Sequence, residues 1–594
     1  VTSAAEISVA GDGAFGLLAQ SVGGGGGLAA YRDGSLYLGT TGTAGNESGT
    51  SGAVSVTATG HISATGTSGA GIVAQSAGPD GAGSVTITIG SAEAAAAILG
   101  GAGGDGTGIH VMGGTSANHL TVNAGSSVSA LSGQAILQTG GGILNVINSG
   151  TITGSAELGG GSVSGNPVTP AAAMAAAASA GTLTNAGTLV ALPGSPTVID
   201  GHLVQTGTGI LAPVVDFASG TAGRFAVTGD ATLDGTVVPR MAAVLPGMAV
   251  PVLSVAGSSS GTLRAGGTAL FDFSLAPQDG VQMLSVAGRD FDRAEFALSD
   301  SAAAAARELE ILFDQGDAAL AGFFAELDQA AAADAAVFGG TMAELGPRSA
   351  MALMSHRAAE AADIADAAMS CPVFETGAAL AETSCTYGRF TASRTERDAS
   401  GGAGRADFDD RGLQIGGQAE IAPDLFLGGV IGYRDTSMDG KDGVSAEGHA
   451  VSGAVTLKYQ TGPWLLAGAV FGNYAEDDLR RSADLGSYGG TAKGTADSRS
   501  YGLRLRAAYT IGSEQGYLRP SLTLDGLRAE TGSWSEDGLG ALGLDYDASS
   551  YSTAILTPAV EAGARTELRP APRRRPSRSP APVTASVCSV IGTG

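Results

Sequence analysis

The groupings in this chain whose residue types and spacing suggest chemistry fall mostly on glycine-rich stretches. Gly11-Asp12-Gly13-Ala14-Phe15-Gly16 and Gly101-Ala102-Gly103-Gly104-Asp105-Gly106 both have the G-x-G-x-x-G spacing with which backbone amides close on a pyrophosphate. That motif works only between a strand and a long helix, and neither copy is followed by a helical pattern, so no nucleotide is expected. Gly257-Ser258-Ser259-Ser260-Gly261 satisfies G-x-S-x-G but lacks the strand-to-helix elbow that exposes a nucleophile. Gly100 to Gly108 approaches a calcium-binding nonapeptide without a tandem copy or the large apolar position. His61, His110, His119, His202, His356 and His449 share no ligand spacing, so no metal and no cofactor is expected. Acidic residues are sparse before residue 290, with no close carboxylate pair suited to acid/base work, so the expectation is that the chain is not an enzyme. Cys371 and Cys385 are spaced for a small closed loop, which leaves a disulfide worth about 3 kcal/mol or two buried thiols as alternatives.

The elements that carry these residues are unusual in composition. Of 594 residues, 96 are glycine and only 15% are charged, yet 43% are hydrophobic, so the chain can bury a core. The net charge is -25, and Arg32 is the sole cation before Arg224, a distribution that excludes nucleic acid as a partner. No run of apolar residues is long enough for a membrane-spanning helix, although a membrane β-barrel remains allowed. All three cysteines lie at or beyond residue 371, so no disulfide scaffold or cysteine zinc site precedes it. The chain opens at Val1 without a leader, from which a missing N-terminal end is expected.

Internal repeats decide the architecture of the first part. Gly16-Leu17-Leu18-Ala19-Gln20-Ser21 returns as Gly71-Ile72-Val73-Ala74-Gln75-Ser76, with echoes at Gly108-Ile109-His110-Val111 and Gln134-Ala135-Ile136-Leu137. Asn148-Ser149-Gly150-Thr151-Ile152 is echoed by Asn185-Ala186-Gly187-Thr188-Leu189. Between them, short period-two runs such as Val54, Val56, Ala58 and Val85, Ile87, Ile89 are too short to bury an apolar face alone. Stacked as coils of a parallel β-helix they bury it together, and this is the reading adopted over a β-sandwich. Residues 1–216 form the repetitive stack. Residues 217–293, with longer alternating strands, read as its last coils and cap.

Residues 294–385 lose glycine and show helical spacing, at Leu309, Leu312 and Phe313, at Leu320, Phe323, Phe324 and Leu327, and at Met351, Met354, Ala358 and Ala361. Breaks are expected at Gly339-Gly340 and Gly346-Pro347, and the segment reads as a helical linker. From 386 to 568 the texture changes to strands of a membrane barrel, near 386–391, 407–421, 424–435, 447–460, 463–475, 497–511, 516–528 and 550–566. Tyr501, Leu503 and Leu505 alternate with Arg504 and Arg506, and Val455, Leu457 and Tyr459 with Lys458, as expected of a lipid-facing outside and a wet lumen. Arg504, Arg506 and Lys458 are therefore assigned to the lumen. Tyr433, Tyr459, Trp464, Tyr474, Tyr501 and Tyr517 are assigned to the aromatic girdle at the lipid boundary. Short turns at Ala422-Pro423-Asp424 and Thr461-Gly462-Pro463 alternate with polar segments near 435–446 and 476–496, read as long loops. Residues 569–594, with Arg573, Arg574 and Arg575 among prolines, break the pattern and read as a disordered basic tail or as an out-of-frame stretch, the latter preferred.

The order of a glycine-rich β-helix, a helical linker and a C-terminal barrel resembles the autotransporters of Gram-negative bacteria. The most specific residues are Gly16-Leu17-Leu18-Ala19-Gln20-Ser21-Val22 with Gly23 to Gly27, similar to the family's passenger motif. Gly412-Leu413-Gln414-Ile415-Gly416-Gly417 and Asp424 to Tyr433 are similar to its second and third barrel strands. The resemblance implies an outer-membrane barrel that exports its own passenger to the cell surface, where an adhesion or interaction role is expected. Partners would be outer-membrane lipid, the barrel-assembly machinery and an unspecified surface ligand. It implies a twelve-stranded barrel ending on an aromatic residue, whereas this chain ends Ile591-Gly592-Thr593-Gly594 with about a third of the barrel absent. It also favours pairing of Cys371 with Cys385.

Overall fold

The computed structural model describes residues 1–23, 27–30, 36–39, 49–159, 180–346, 349–375, 378–399, 404–513 and 516–564. The basic tail 569–594 with Cys588, Arg32, most of the glycine run after Val22, and Pro347 lie outside the described residues. The chain divides into two compact units, residues 1–297 with 306–338, and residues 298–305 with 339–594.

In the first unit, short strands stack in parallel as three columns. One is a nine-stranded sheet running from Thr2–Ser3 through Val54–Ala58, Val85–Ile89 and Asn118–Val122 to Ser259–Gly261. The other two pass through Ile62–Ala64 and Ala97–Gly100, and through Phe15–Val22, Ala70–Ala77 and Thr107–Gly113. The sequence repeat is the stacking itself: Leu17 lies opposite Ile72, Ala19 opposite Ala74 and Gln20 opposite Gln75, and Ile109 and Ile136 continue the Ile72 column. Val85, Ile87, Ile89, Leu120 and Val122 all point inward and are fully buried. Each added coil thus extends one apolar column rather than starting a new core.

Two features explain why these repeats keep their residues. A Cβ at Gly71 would lie 2.6 Å from Ile98 Cγ2 and 2.7 Å from the Gly108 carbonyl oxygen, so the glycine is required by the close approach of the next coil. The Asn-x-Gly-Thr repeat builds a buried amide ladder. Asn148 Nδ2 donates to Asn185 Oδ1 at 2.7 Å, and Asn185 Nδ2 donates to Gln205 Oε1 at 2.9 Å. Buried amides bonded to one another escape the desolvation cost of an unpaired polar group and oppose slippage of one coil against the next.

The stack does not continue unchanged to residue 293. Ala249–Val255 pairs antiparallel with Val281–Arg289, which pairs antiparallel with Phe271–Gln278. The expected last coils are therefore in part a hairpin, which covers the edge of one column at the end of the solenoid with antiparallel strands. Helices α1 (Asp300–Gln315) and α2 (Ala321–Ala333) follow. Phe313 and Phe324 bury against Phe271 and Phe291 of the hairpin region, and Asp328 accepts hydrogen bonds from Thr268 Oγ1 and the Leu270 amide. Burial pushes the Asp328 carboxyl above its ordinary range, against these bonds.

One half-buried histidine gives the stack a pH dependence. His110 sits between Val73 and Leu137 of neighbouring coils, its Nε2 2.9 Å from Thr139 Oγ1, and burial pushes its pKa down to about 4. Above pH about 6.5 the imidazole is neutral folded or unfolded and contributes nothing. Between about 6.5 and 4 only the unfolded chain takes the proton, so this group removes about 1 kcal/mol of stability per pH unit. Urea unfolding of the first unit at pH 7 and pH 4.5 is expected to show a smaller acid loss in the His110→Gln variant than in the parent chain.

Helix α3 (Ala335–Glu344) runs across the division at residue 338, and α4 (Ala350–Ala368) belongs to the second unit. The break expected at Gly339-Gly340 falls instead at Asp334, between α2 and α3, where the backbone is extended (φ -159°, ψ 118°) and Oδ1 caps the Ala336 amide at 2.7 Å. The last part of the expected helical linker is a small hairpin, Pro372–Glu375 with Ala378–Glu382.

Eight antiparallel strands follow: β1 (Cys385–Arg397), β2 (Ala406–Ala422), β3 (Leu425–Gly440), β4 (Val444–Thr461), β5 (Trp464–Ala483), β6 (Gly490–Tyr509), β7 (Gly516–Thr531) and β8 (Ser549–Ala564). They pair in chain order, and the sheet curls around α4. Among the described residues, β1 and β8 are its unpaired edges. The segments read as long loops, 435–446 and 476–496, are largely strand, with only 441–443 and 484–489 left as connections. Their outward residues are polar because the strands run past the lipid-facing band, and that removed the alternation by which strands were recognised.

Candidate functional site: a helix held in a polar lumen

The two faces of the barrel sheet are opposite in character. Ile415, Leu427, Ile431, Val455, Leu457, Val470, Leu503 and Leu524 point outward and are exposed, whereas Lys458, Arg481 and Arg504 point inward and are buried. An exposed apolar outside over a charged inside is the inverse of a water-soluble sheet and fits lipid outside with water inside. Trp464 and Tyr474, both outward on β5, are ten residues apart, so they are separated by ~34 Å of strand, or about 25 Å of height at a ~40–45° tilt. That is the thickness of an outer-membrane apolar band. Tyr459 and Trp464 mark one boundary; Tyr433, Tyr474 and Tyr501 mark the other, all five exposed.

Tyr517 does not belong with them. Leu518, Leu522 and Leu524 are the exposed residues of β7, so Tyr517 has the parity of Arg519 and Asp525, which are buried. Its hydroxyl donates to Glu561 Oε1, and its ring lies over Gly563, where an added Cβ would come within 2.3 Å. The parity of the leucines was visible in the sequence and outweighs the preference of tyrosine for strand ends.

The lumen is occupied by α4. Its alanines let it sit close to the wall: Ala358, Ala361, Ile364, Ala365 and Ala368 pack against Val430, Ala454, Phe471 and Leu527. Nearer its start, Ala352 and Leu353 meet Phe408, Met438 and Leu479. Met351, expected on the buried face, is 52% exposed, and the same helix buries His356, Arg357 and Glu360 instead. Apolar spacing misplaces the buried face of a helix whose partner is a charged lumen.

These charged groups are tied to the wall. Arg357 sends Nη2 to Asp477 Oδ1 at 2.5 Å and Nε to Asp477 Oδ2 at 3.2 Å, a bidentate pair. Its Nη1 donates to Glu360 Oε2 and Thr436 Oγ1, both at 2.8 Å. Arg434 lies 3.6 Å from Glu360 and 3.4 Å from Asp363. His356 stacks on Phe408 with ring centroids 4.0 Å apart and places Nε2 3.0 Å from Asp410 Oδ1.

The three expected lumen cations all have inward parity. Arg504 bonds Asp525 of β7 at 2.6 Å and also Asp366 of α4. Lys458 Nζ donates at 3.0 Å to Glu382, at the end of the small hairpin after α4. Arg506 is partly exposed, with Nε lacking a hydrogen-bond partner among the described residues. Cys371 and Cys385, either side of that hairpin, are joined in a disulfide with Cα atoms 6.1 Å apart. The anchoring carboxylates Asp366 and Glu382 and the cation Arg357 were not singled out in the sequence, where nothing marks an acidic residue on a linker as the partner of a strand cation.

Residues 386–573 match the family model described as the autotransporter beta-domain. The chain carries an autotransporter β-domain. Among solved structures, the translocator domain of the autotransporter NalP from Neisseria meningitidis is similar at 14% identity, over 36% of this chain and 72% of that one, with a TM-score of 0.31. No curated protein matches the chain. The β-domain places the C-terminal part in the outer membrane and makes it the exporter of a passenger that reaches the cell surface.

The passenger holds one chemical feature that the sequence reading missed. Glu157 pairs in register with Asp200 of the next coil, a close pair of carboxylates assembled from residues 43 apart in the chain. Burial, then the Asp200 charge, pushes the Glu157 carboxyl up. The earlier expectation of no such pair rested on sequence proximity, which stacking overrides. Among the described residues no group of three His, Cys, Asp or Glu side chains is placed to hold a metal.

Proposed function

We propose that the passenger, residues 1–293, is displayed at the surface as an adhesion or interaction module and is not an enzyme. The observation that carries this reading is the regularity of its flanks. Along the nine-stranded column the outward positions Ser55, Thr86, His119 and Asn145 lie in register on successive coils, as do Thr57, Thr88 and Thr121. Such a flank is a long, flat array of small hydrogen-bonding groups, suited to an extended ligand or a neighbouring surface rather than to a substrate enclosed in a cleft. The lumen helix α4, pinned by ion pairs, then serves as the barrel-side anchor of the segment that links barrel and passenger. Assembly of the β-domain depends on the cell's barrel-assembly machinery.

Cells displaying the full chain are expected to bind at least one member of an immobilised panel of matrix proteins and glycans, while cells displaying a chain lacking residues 1–293 do not. Equal binding by both would remove the passenger from the interaction. A second reading, an exported polysaccharide-acting enzyme, is favoured by the Glu157/Asp200 pair, because glycoside cleavage uses two carboxyl groups and burial pushes that of Glu157 up, as a general acid requires. It is separated by the Glu157→Gln variant, which would abolish release of sugar from a glycan panel while leaving adhesion unchanged.

A further inference from the structure

At the end of the lumen away from the short turns, the first turns of α4 touch β5 and β6 through Leu353 but leave space beside that contact. A cavity of about 310 Å³ lies between them. Its walls are mainly apolar, with Met351, Leu353 and Met354 from α4 facing Leu479 and Ala496 from the sheet. Trp534 closes one side and stacks on Tyr546, ring centroids 3.9 Å apart and planes within 8°. These two aromatics belong to a small hairpin in the 532–548 connection, where Trp534–Ser535 pairs with Asp545–Tyr546.

Two lining residues do not fit an apolar hole. Ser498 of β6 and Thr531 of β7 are directly opposite one another in the ladder, and both side-chain hydroxyls are buried without a hydrogen-bond partner among the described residues. Ser498 is only 9% exposed. A buried hydroxyl without a partner is destabilising by roughly 1–3 kcal/mol, so a pair of them facing an apolar cavity needs a reason. Of the two carboxylates that line the cavity, Asp477 is committed to Arg357 and Asp547 is exposed on the 532–548 connection. An apolar chamber of this volume with a few convergent polar groups has the make-up of a small-molecule site.

We propose that this cavity binds a small, uncharged aromatic molecule bearing one hydroxyl. Its ring occupies the space between the α4 methionines and Trp534, and its hydroxyl bonds to Ser498 and Thr531. The hydroxyl on the ligand both donates and accepts, which suits two serine-type partners that can each do either. A charged ligand is disfavoured because Asp477 is paired with Arg357 and Asp547 is exposed to solvent, so neither compensates a charge buried between the helix and the sheet. The occupant bridges α4 and the wall, so it stabilises the helix in its seat.

The chain has two tryptophans, so a Trp464→Phe variant of the full chain in detergent leaves Trp534 as the reporter. Titrated with 4-bromophenol, whose bromine quenches indole on contact, it is expected to show saturable quenching. The Ser498→Ala, Thr531→Val double change in that background is expected to weaken binding at least tenfold, and bromobenzene, which lacks the hydroxyl, to bind at least tenfold more weakly than the phenol. Ala496→Leu, which fills the cavity and keeps both hydroxyls, is expected to abolish saturation. Should the double change prevent folding, the phenol against bromobenzene comparison and Ala496→Leu decide. Quenching that rises linearly, or that is the same for both probes and all variants, would overturn the proposal.

Discussion

Replacing Arg357 by methionine is expected to destabilise the β-domain by about 3–5 kcal/mol, measured as the loss of its folded, heat-modifiable form in a urea titration. The guanidinium is 1% exposed and compensates Asp477 and part of Glu360, themselves 2% exposed as side chains. Removing one partner of a buried pair leaves the other charge desolvated with nothing opposite it, and this accounts for most of the loss. The Arg357→Met, Asp477→Leu double variant is therefore expected to recover at least half of it, because two apolar side chains in place of a buried pair are often neutral. Glu360 keeps Arg434 in both variants. A loss below about 1 kcal/mol in the single variant would mean that α4 does not sit in the lumen when the domain is folded, since an exposed pair is worth no more than that.

The passenger architecture was readable because its repeats carry the contacts within themselves. Leu17 and Ile72 are equivalent in sequence and adjacent in space, so finding the repeat is finding the pairing. Barrel strands were readable wherever lipid enforces alternation, as along Tyr501 to Tyr509, and became invisible where the strand leaves the lipid, as along Glu476 to Ala483. What escaped the sequence was partnership across distance. Arg357 and Asp477 are 120 residues apart, and Glu157 and Asp200 meet only because a coil closes between them. The face of α4 escaped for a related reason. Helical periodicity identifies a buried stripe by its apolarity, and a lumen that supplies carboxylates and arginines lets His356, Arg357 and Glu360 be buried as readily as alanine. The terminal hairpin at Phe271–Arg289 was likewise ambiguous, since an alternating strand has the same pattern whichever way its neighbour runs.

Closing a loop in the passenger before export is expected to reduce the amount reaching the surface at least tenfold. Ser55 and Thr86 face outward on adjacent coils and pair in register, so cysteines there stand ~5 Å apart, within disulfide range, once those coils have stacked. No native thiol precedes Cys371, so the pair has no competitor within the passenger. If transit requires an extended chain, the Ser55→Cys, Thr86→Cys variant oxidised in the periplasm stalls, the same variant kept reduced is displayed normally, and each single cysteine is without effect. Undiminished display of the oxidised double variant would mean that stacked coils pass intact. The extended route also supplies its own direction. Each coil that stacks outside buries apolar side chains such as Val56 and Ile87, at ~25 cal/mol per Å², and adds a row of backbone hydrogen bonds. A coil so folded resists being drawn back, which biases the remaining chain outward without a nucleotide-driven motor. Cross-linking Ser55 to Thr86 before export leaves the bias of the other coils in place and blocks the extended route itself, which is why the oxidised variant separates the route from the driving force.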